Sequence, residues 1–193
     1  ILIIGIGGVG GSCLEMLARS GINNITIVDF DKFEESNLNR QILSQENNIE
    51  KYKVDIAKER ILSINSNCNI ITYNKKVNDD FIKELDTNYD YIIDACDDIN
   101  AKVLLVKYAI NNNIKIISSC GTGNRLDPSK LYITNIWKTE YDPLAKKFRN
   151  YLRKENIKYK LPVVTSKEIP LIKESGFVGS MAMVPNAAGI LLS

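Results

Sequence analysis

Histidine is absent from the 193 residues. This excludes a Ser-His-Asp triad, a Cys-His pair and any imidazole general base. It also removes the commonest zinc ligand. Chemistry here must run on carboxylates, cations, backbone amides or a thiol. Cysteine is sparse and scattered, at Cys13, Cys68, Cys96 and Cys120. No C-x-x-C pair occurs, so no structural zinc is expected. Net charge is only +2, too mild to establish nucleic-acid binding by itself. A long uninterrupted apolar run is also missing. The stretch 177–192 is apolar but broken by Pro185, Asn186 and Gly189. It is expected to be a buried helix rather than a membrane span. The chain opens inside a strand pattern, with no basic leader, and stops in mid-pattern at Leu191-Leu192-Ser193. No signal peptide is expected, and residues are expected to be missing at both ends.

What is present is concentrated at the start. An apolar run, Ile1-Leu2-Ile3-Ile4, stops at Gly5-Ile6-Gly7-Gly8-Val9-Gly10, and a helical pattern follows. This is G-x-G-x-x-G in strand–turn–helix context. Glycines let a phosphate approach the backbone, and the helix start offers free N–H groups to it. Strand patterns recur at 25–29, 70–73, 89–93 and 114–118. Helical patterns lie at 10–20, 52–64, 79–85 and 99–110. Such alternation predicts an α/β fold: a Rossmann-like, mostly parallel sheet with helices on both faces. After Cys120 the pattern changes. Residues 131–136 alternate like an antiparallel strand, which gives a short antiparallel extension. Asp142-Pro143 caps and starts a helix whose apolar face carries Leu144, Phe148 and Leu152. Pro162 and Pro170 bracket a loop or short strand at Val163-Val164-Thr165. One domain spanning 1–193 is expected, with a nucleotide-binding core over 1–120 and a substrate-side extension over 121–193.

Several residues could carry chemistry. Asp29 ends the second strand, where a carboxylate can hold ribose hydroxyls. It suits NAD and ATP equally. Asp31 is expected to be a solvated loop residue. Arg40 and Lys53 follow, and together they suggest a clamp for more phosphate charge than a dinucleotide carries. Asp94 and Asp97 fall at the end of the fourth strand, and one of them could hold Mg²⁺. Asp97 or Asp98 could instead cap the next helix. Lys102, one turn on, is expected on a solvated face.

These residues resemble the ubiquitin-activating-enzyme-like superfamily of adenylating enzymes. The match runs through the glycine turn with Gly11, Val28-Asp29-Phe30-Asp31, Asn37-Leu38-Asn39-Arg40-Gln41, Lys53 and Asp94-Ala95-Cys96-Asp97. The later segment is similar to the tRNA threonylcarbamoyladenosine dehydratases. That similarity rests on Asp142-Pro143-Leu144-Ala145-Lys146-Lys147-Phe148-Arg149, on Arg153-Lys154, and more weakly on 163–170 and 176–180. The resemblance implies that Gly5, Gly7, Gly8, Gly10 and Asp29 hold ATP. It implies that Asn37, Arg40, Gln41 and Lys53 contact the phosphates, and that Asp97 sits by the metal and reaction centre. Arg40, Lys53 and Asp97 are then the catalytic set, with ATP and Mg²⁺ as cofactors. The paired C-x-x-C motifs of the sulfur-carrier-activating branch are missing, which favours the dehydratases. So is a cysteine after Cys120 that could act as the crossover-loop nucleophile of larger ubiquitin-type enzymes.

The function implied is ATP-dependent cyclisation of threonylcarbamoyladenosine beside the tRNA anticodon, through adenylation of its carboxylate. Lys146, Lys147, Arg149, Arg153 and Lys154 are the candidate tRNA-backbone contacts, with a solvated helix face as the alternative. A cytoplasmic homodimer is expected, with the small residues of 176–189 available for an interface. Sulfur-transfer proteins are possible further partners, and membrane contact is expected only from a missing C-terminal tail. Three other functions stay open at this point: activation of a ubiquitin-like sulfur carrier, NAD-linked oxidoreduction, and a non-catalytic binding subunit.

Overall fold

The computed structural model describes residues 1–171 and 178–193. Gly176 and Phe177, part of the weaker family echo, lie outside the described residues. In chain order the elements are β1 (Leu2–Ile4), α1 (Gly8–Arg19), β2 (Asn24–Val28), α2 (Lys53–Ile64), β3 (Asn69–Tyr73), α3 (Asp79–Glu84) and β4 (Tyr91–Asp94). Then come α4 (Ile99–Asn111), β5 (Lys115–Ser119), β6 (Leu131–Asn135), α5 (Pro143–Lys154), β7 (Pro162–Ser166) and α6 (Met183–Leu192). Among the described residues the strands form one sheet in the order β3-β2-β1-β4-β5-β7-β6. All neighbours pair parallel except β6 with β7. The expected α/β architecture with a short antiparallel extension is therefore present.

Both faces of the sheet are covered, which explains the unbroken apolar runs of the central strands. Side chains alternate across the pleat. Leu2, Ile4, Ile92, Ile116 and Val163 point into a core closed by Phe81, Val106, Phe148 and Leu152 of α3, α4 and α5. Ile3, Ile27, Ile93, Ile117 and Val164 point into a second core, closed by Leu14, Val54, Ile61 and Ala188 of α1, α2 and α6.

Two features go beyond the sequence pattern. Of the two forms open to the segment around Val163 it takes the short strand, and that strand inserts between β5 and β6. Pro162 is tolerated because it is the first residue of that strand. The last helix is shorter than 177–192 and starts at Met183, with Pro185 in its first turn, where a missing N–H is harmless. Gly189 does not wait for a partner chain. It lies against α1, where a Cβ would overlap the Val9 carbonyl oxygen and sit 2.8 Å from Ser12 Cβ. Among the described residues no helix is long and apolar enough to cross a membrane.

Candidate functional site

A cavity of about 660 Å³ opens at the carboxyl ends of β1, β2, β4 and β5. It includes the crevice between β1 and β4, from which the chain winds in both directions. Open α/β sheets bind ligands there. The cavity is lined by Gly5, Gly7, Gly8, Asp29, Asn37, Arg40, Gln41, Lys53 and Asp97. Gly10 is one position behind it.

The glycines serve different purposes. Gly5 has φ +86°, and a Cβ there would lie 2.9 Å from the backbone of Ala95 and Cys96. At Gly10 a Cβ would overlap the Gly5 carbonyl oxygen. These two permit helix α1 to press against β1 and β4. At Gly7 the nearest atom to an added Cβ is Gln41 Nε2, 3.8 Å away. Gly7 is also the N-cap of α1 and supplies no side-chain cap. It leaves space, and the first N–H groups of α1, for an anion.

Asp29 is buried at the end of β2. Its carboxylate accepts from Ile6 N at 2.6 Å and from Asp31 N at 2.8 Å. Burial pushes its pKa up, and the nearby Lys53 and these N–H donors only partly offset that rise. Lys53, at the start of α2, is buried and donates to Asp31 Oδ2 at 2.9 Å. Asp31 is the half-exposed loop residue expected, but it is paired. It steers the Lys53 ammonium along the cavity wall. Arg40 Nη1 donates to Ser36 O at 2.7 Å and to Asn39 Oδ1 at 2.9 Å. Its Nε and Nη2 make no protein hydrogen bond among the described residues. Asn37 is buried, and its Oδ1 accepts from Glu34 N at 3.2 Å, which fixes the turn that presents Arg40. Gln41 Oε1 is buried without a partner among the described residues. An orphaned acceptor on a cavity wall awaits a donor from water or ligand.

The β4 end separates its carboxylates. Asp94 is wholly buried and accepts from Lys102 Nζ at 3.0 Å. Lys102, also wholly buried, donates to Ser119 O at 2.8 Å as well. The expectation of a solvated Lys102 is overturned. Its four methylenes run through the core, and only a carboxylate there makes the buried ammonium tolerable. Burial alone lowers the Lys102 pKa, but Asp94 and the adjacent thiols outweigh it, and the net shift is upward. Asp98 caps α4, accepting from Asn100 N at 2.8 Å and Ala101 N at 3.3 Å. Asp97 is left exposed on the cavity wall with no side-chain partner among the described residues. Among those residues no three His, Cys, Asp or Glu side chains cluster as a metal site. A single carboxylate nevertheless suits Mg²⁺, which takes most of its remaining ligands from phosphates and water.

Arg125 escaped the sequence reading. It is 2% exposed, yet borders the cavity. Its Nη1 donates to Ser166 O at 3.0 Å and Glu168 O at 2.6 Å, and its Nη2 to Tyr141 O at 3.3 Å. Asp142 does more than cap α5. Its Oδ2 accepts from Gly121 N at 3.0 Å and Thr165 Oγ1 at 2.8 Å. The only local signal was the glycine loop before Arg125; its carbonyl partners are remote in sequence. Cys120 lines the cavity, but burial raises its thiol pKa, and burial also raises Cys96. Neither thiol is primed as a nucleophile.

A family model described as "ThiF family" matches residues 1–185. The chain belongs to the ThiF family. This ThiF-family chain is 37% identical to a tRNA threonylcarbamoyladenosine dehydratase of Bacillus subtilis, across 100% of its own length and 83% of the relative's. It is 39% identical to the Haemophilus influenzae protein of that name, over 80% of its length and 60% of the relative's. Its fold matches a crystal structure of the Escherichia coli dehydratase in complex with AMP at a TM-score of 0.93 and 33% identity, covering 99% of this chain and 81% of that one. The E. coli dehydratase with ATP matches at 0.92 and 32%, with the same coverage.

Proposed function

We propose that this ThiF-family chain is an ATP-dependent tRNA threonylcarbamoyladenosine dehydratase. The observation that carries the reading is the convergence of Arg40, Lys53 and Asp97 beside the glycine turn in one cavity. Asp29 takes the ribose hydroxyls, and the N-terminus of α1 with Arg40, Gln41, Asn37 and Lys53 takes the phosphates. Asp97 would hold Mg²⁺, which supplies further positive charge at the phosphates.

The substrate carboxylate is ionised at neutral pH, so no general base is needed for the first step. Its oxygen attacks the α-phosphorus, the bond to the β-phosphate oxygen breaks, and pyrophosphate leaves. A nitrogen or oxygen of the same modification then attacks the acyl carbon. The bond to AMP breaks, AMP departs with the electron pair, and the nucleophile's proton passes to solvent. The net change is loss of one water. The barrier is anion meeting anion, and preplaced cations lower it. Incubation with ATP, Mg²⁺ and modified tRNA, followed by nucleoside mass analysis, should show that loss. Pyrophosphate exchange stimulated by a small carrier protein and not by tRNA would overturn the assignment.

The tRNA lies along α5, whose first turn borders the cavity through Pro143 and Leu144. Lys146, Lys147, Arg153 and Lys154 are exposed on it. Arg149 is not available in the same way. Its Nη1 donates to Ile136 O at 3.3 Å, to Thr139 O at 3.1 Å and to Thr139 Oγ1. Its Nη1 holds the preceding turn, while its Nε and Nη2 make no hydrogen bond among the described residues and stay available to a phosphate. Reversing the charge at Lys146 and Lys147 should weaken tRNA binding and shrink the log–log salt slope by about two. Unchanged binding in a filter or anisotropy titration would reject this contact. A cytoplasmic setting follows from a tRNA substrate. A homodimer is supported by Met183 and Ile190, apolar and half-exposed on α6. Sulfur-transfer proteins are further candidate partners.

A further inference from the structure

A second cavity, of about 290 Å³, lies at the far end of α5. Trp137, Arg153, Asn156, Ile157 and Lys158 line it. We propose that this cavity receives an unpaired base of the tRNA substrate, stacked against the Trp137–Arg153 pair. The proposal rests on the tRNA reading above and deepens it.

The ring is held in place before any ligand arrives. Trp137 N is capped by Asn135 Oδ1 at 3.0 Å, and Trp137 Nε1 donates to Tyr159 O at 2.9 Å. Trp137 packs partly against the core, and the Arg153 guanidinium sits 5.6 Å from its ring centroid. A planar cation over an indole presents a flat, positively charged face, and unpaired bases stack on aromatic rings and guanidinium planes. Asn156, two residues beyond α5, is in the left-handed region at φ +55° and borders the cavity. An asparagine tolerates that conformation and also brings an amide able to pair with a base edge.

Charge favours the same occupant. Eight of the 25 Lys and Arg, but only three of the 23 Asp and Glu, fall between positions 138 and 160. The rest of the chain holds 17 basic against 20 acidic residues. The small net positive charge of the molecule is therefore the work of this one segment. One of its three acids, Glu155, is already paired with Lys107 at 2.6 Å. Asp142 is buried. Lys154, Lys158 and Lys160 remain exposed around the cavity end of α5, with Tyr151 and Tyr159 among them. Aromatic rings interleaved with cations match a single strand, whose phosphates meet the cations while its bases stack. From Leu144 to Arg153 is nine residues, about 14 Å along the helix. One tRNA loop can thus reach both cavities, with the modified nucleoside at the first and a neighbouring base at the second.

Trp137 is the single tryptophan of the chain, so its emission reports on this cavity alone. The chain should be titrated with labelled tRNA carrying threonylcarbamoyladenosine, reading anisotropy and tryptophan emission together. Saturable quenching that follows the binding curve is expected. A blunt RNA duplex of equal length should bind by its phosphates and leave the emission nearly unchanged. Trp137→Ala should weaken tRNA binding about tenfold, and Trp137→Phe should keep most of it. If tRNA binds with no change in emission, or the duplex quenches equally, the base subsite is wrong while the tRNA reading stands. If tRNA does not bind at all, both fall. Should Trp137→Ala fail to fold, the wild-type emission still decides.

Discussion

Replacing Lys102 by methionine should lower the unfolding free energy by about 3–5 kcal/mol, measured as a shifted urea midpoint. Domains are stable by only about 5–15 kcal/mol, so this is a large share of the total. The reason is the partner left behind. Asp94 would stay fully buried without its counter-ion, keeping, among the described residues, Cys96 N at 3.2 Å and Cys96 Sγ at 3.0 Å as donors. The double variant Asp94→Asn with Lys102→Met removes both charges and should recover much of the loss. A single Lys102→Met variant with the wild-type midpoint would show that the pair is not buried as described. The effect should also reach the nucleotide cavity. Lys102 ties the end of β4 to Ser119 O, and so fixes the loop bearing Asp97 against the one starting at Gly121.

Arg40→Ala should reduce kcat/KM for AMP formation by about 10²–10³-fold with little effect on the fold. In the proposed reaction it supplies positive charge where pyrophosphate charge develops, and its Nε and Nη2 make no protein hydrogen bond among the described residues. Lysine at this position keeps a point charge but loses the planar fork, so Arg40→Lys should recover only part of the rate. Near-normal AMP formation by Arg40→Ala, followed in single turnovers with modified tRNA, would remove Arg40 from the catalytic set. Lys53 offers a built-in comparison. It is buried and already paired with Asp31, so its removal should disturb the cavity wall as well as the charge.

The ion pairs explain why some assignments could be read along the chain and others could not. Lys102 and Asp98 look alike in sequence, as polar residues beside a helix start. Asp98 caps α4 through N–H groups two and three residues away, a contact its own neighbourhood dictates. Lys102 is decided by Ser119, which β5 brings over from another part of the chain. The partners of Asp31 and Arg149 are hidden from the linear pattern for the same reason. Each engages groups across a turn or between elements that a linear pattern does not bring together.

The amino-acid sequence by itself determined the α/β alternation, the glycine turn and the sheet edge on which Asp29, Arg40, Lys53 and Asp97 gather. Those follow from side-chain period, helix-start chemistry and the points where strand patterns end, which are local properties. Only the tertiary structure decided that β7 enters the sheet ahead of β6, and that Lys102 and Arg125 are buried. It also decided that Trp137 meets Arg153 over a cavity. Pairing partners across tens of residues are selected by the packing of the whole chain, because a buried polar group is stable only beside the group that satisfies it.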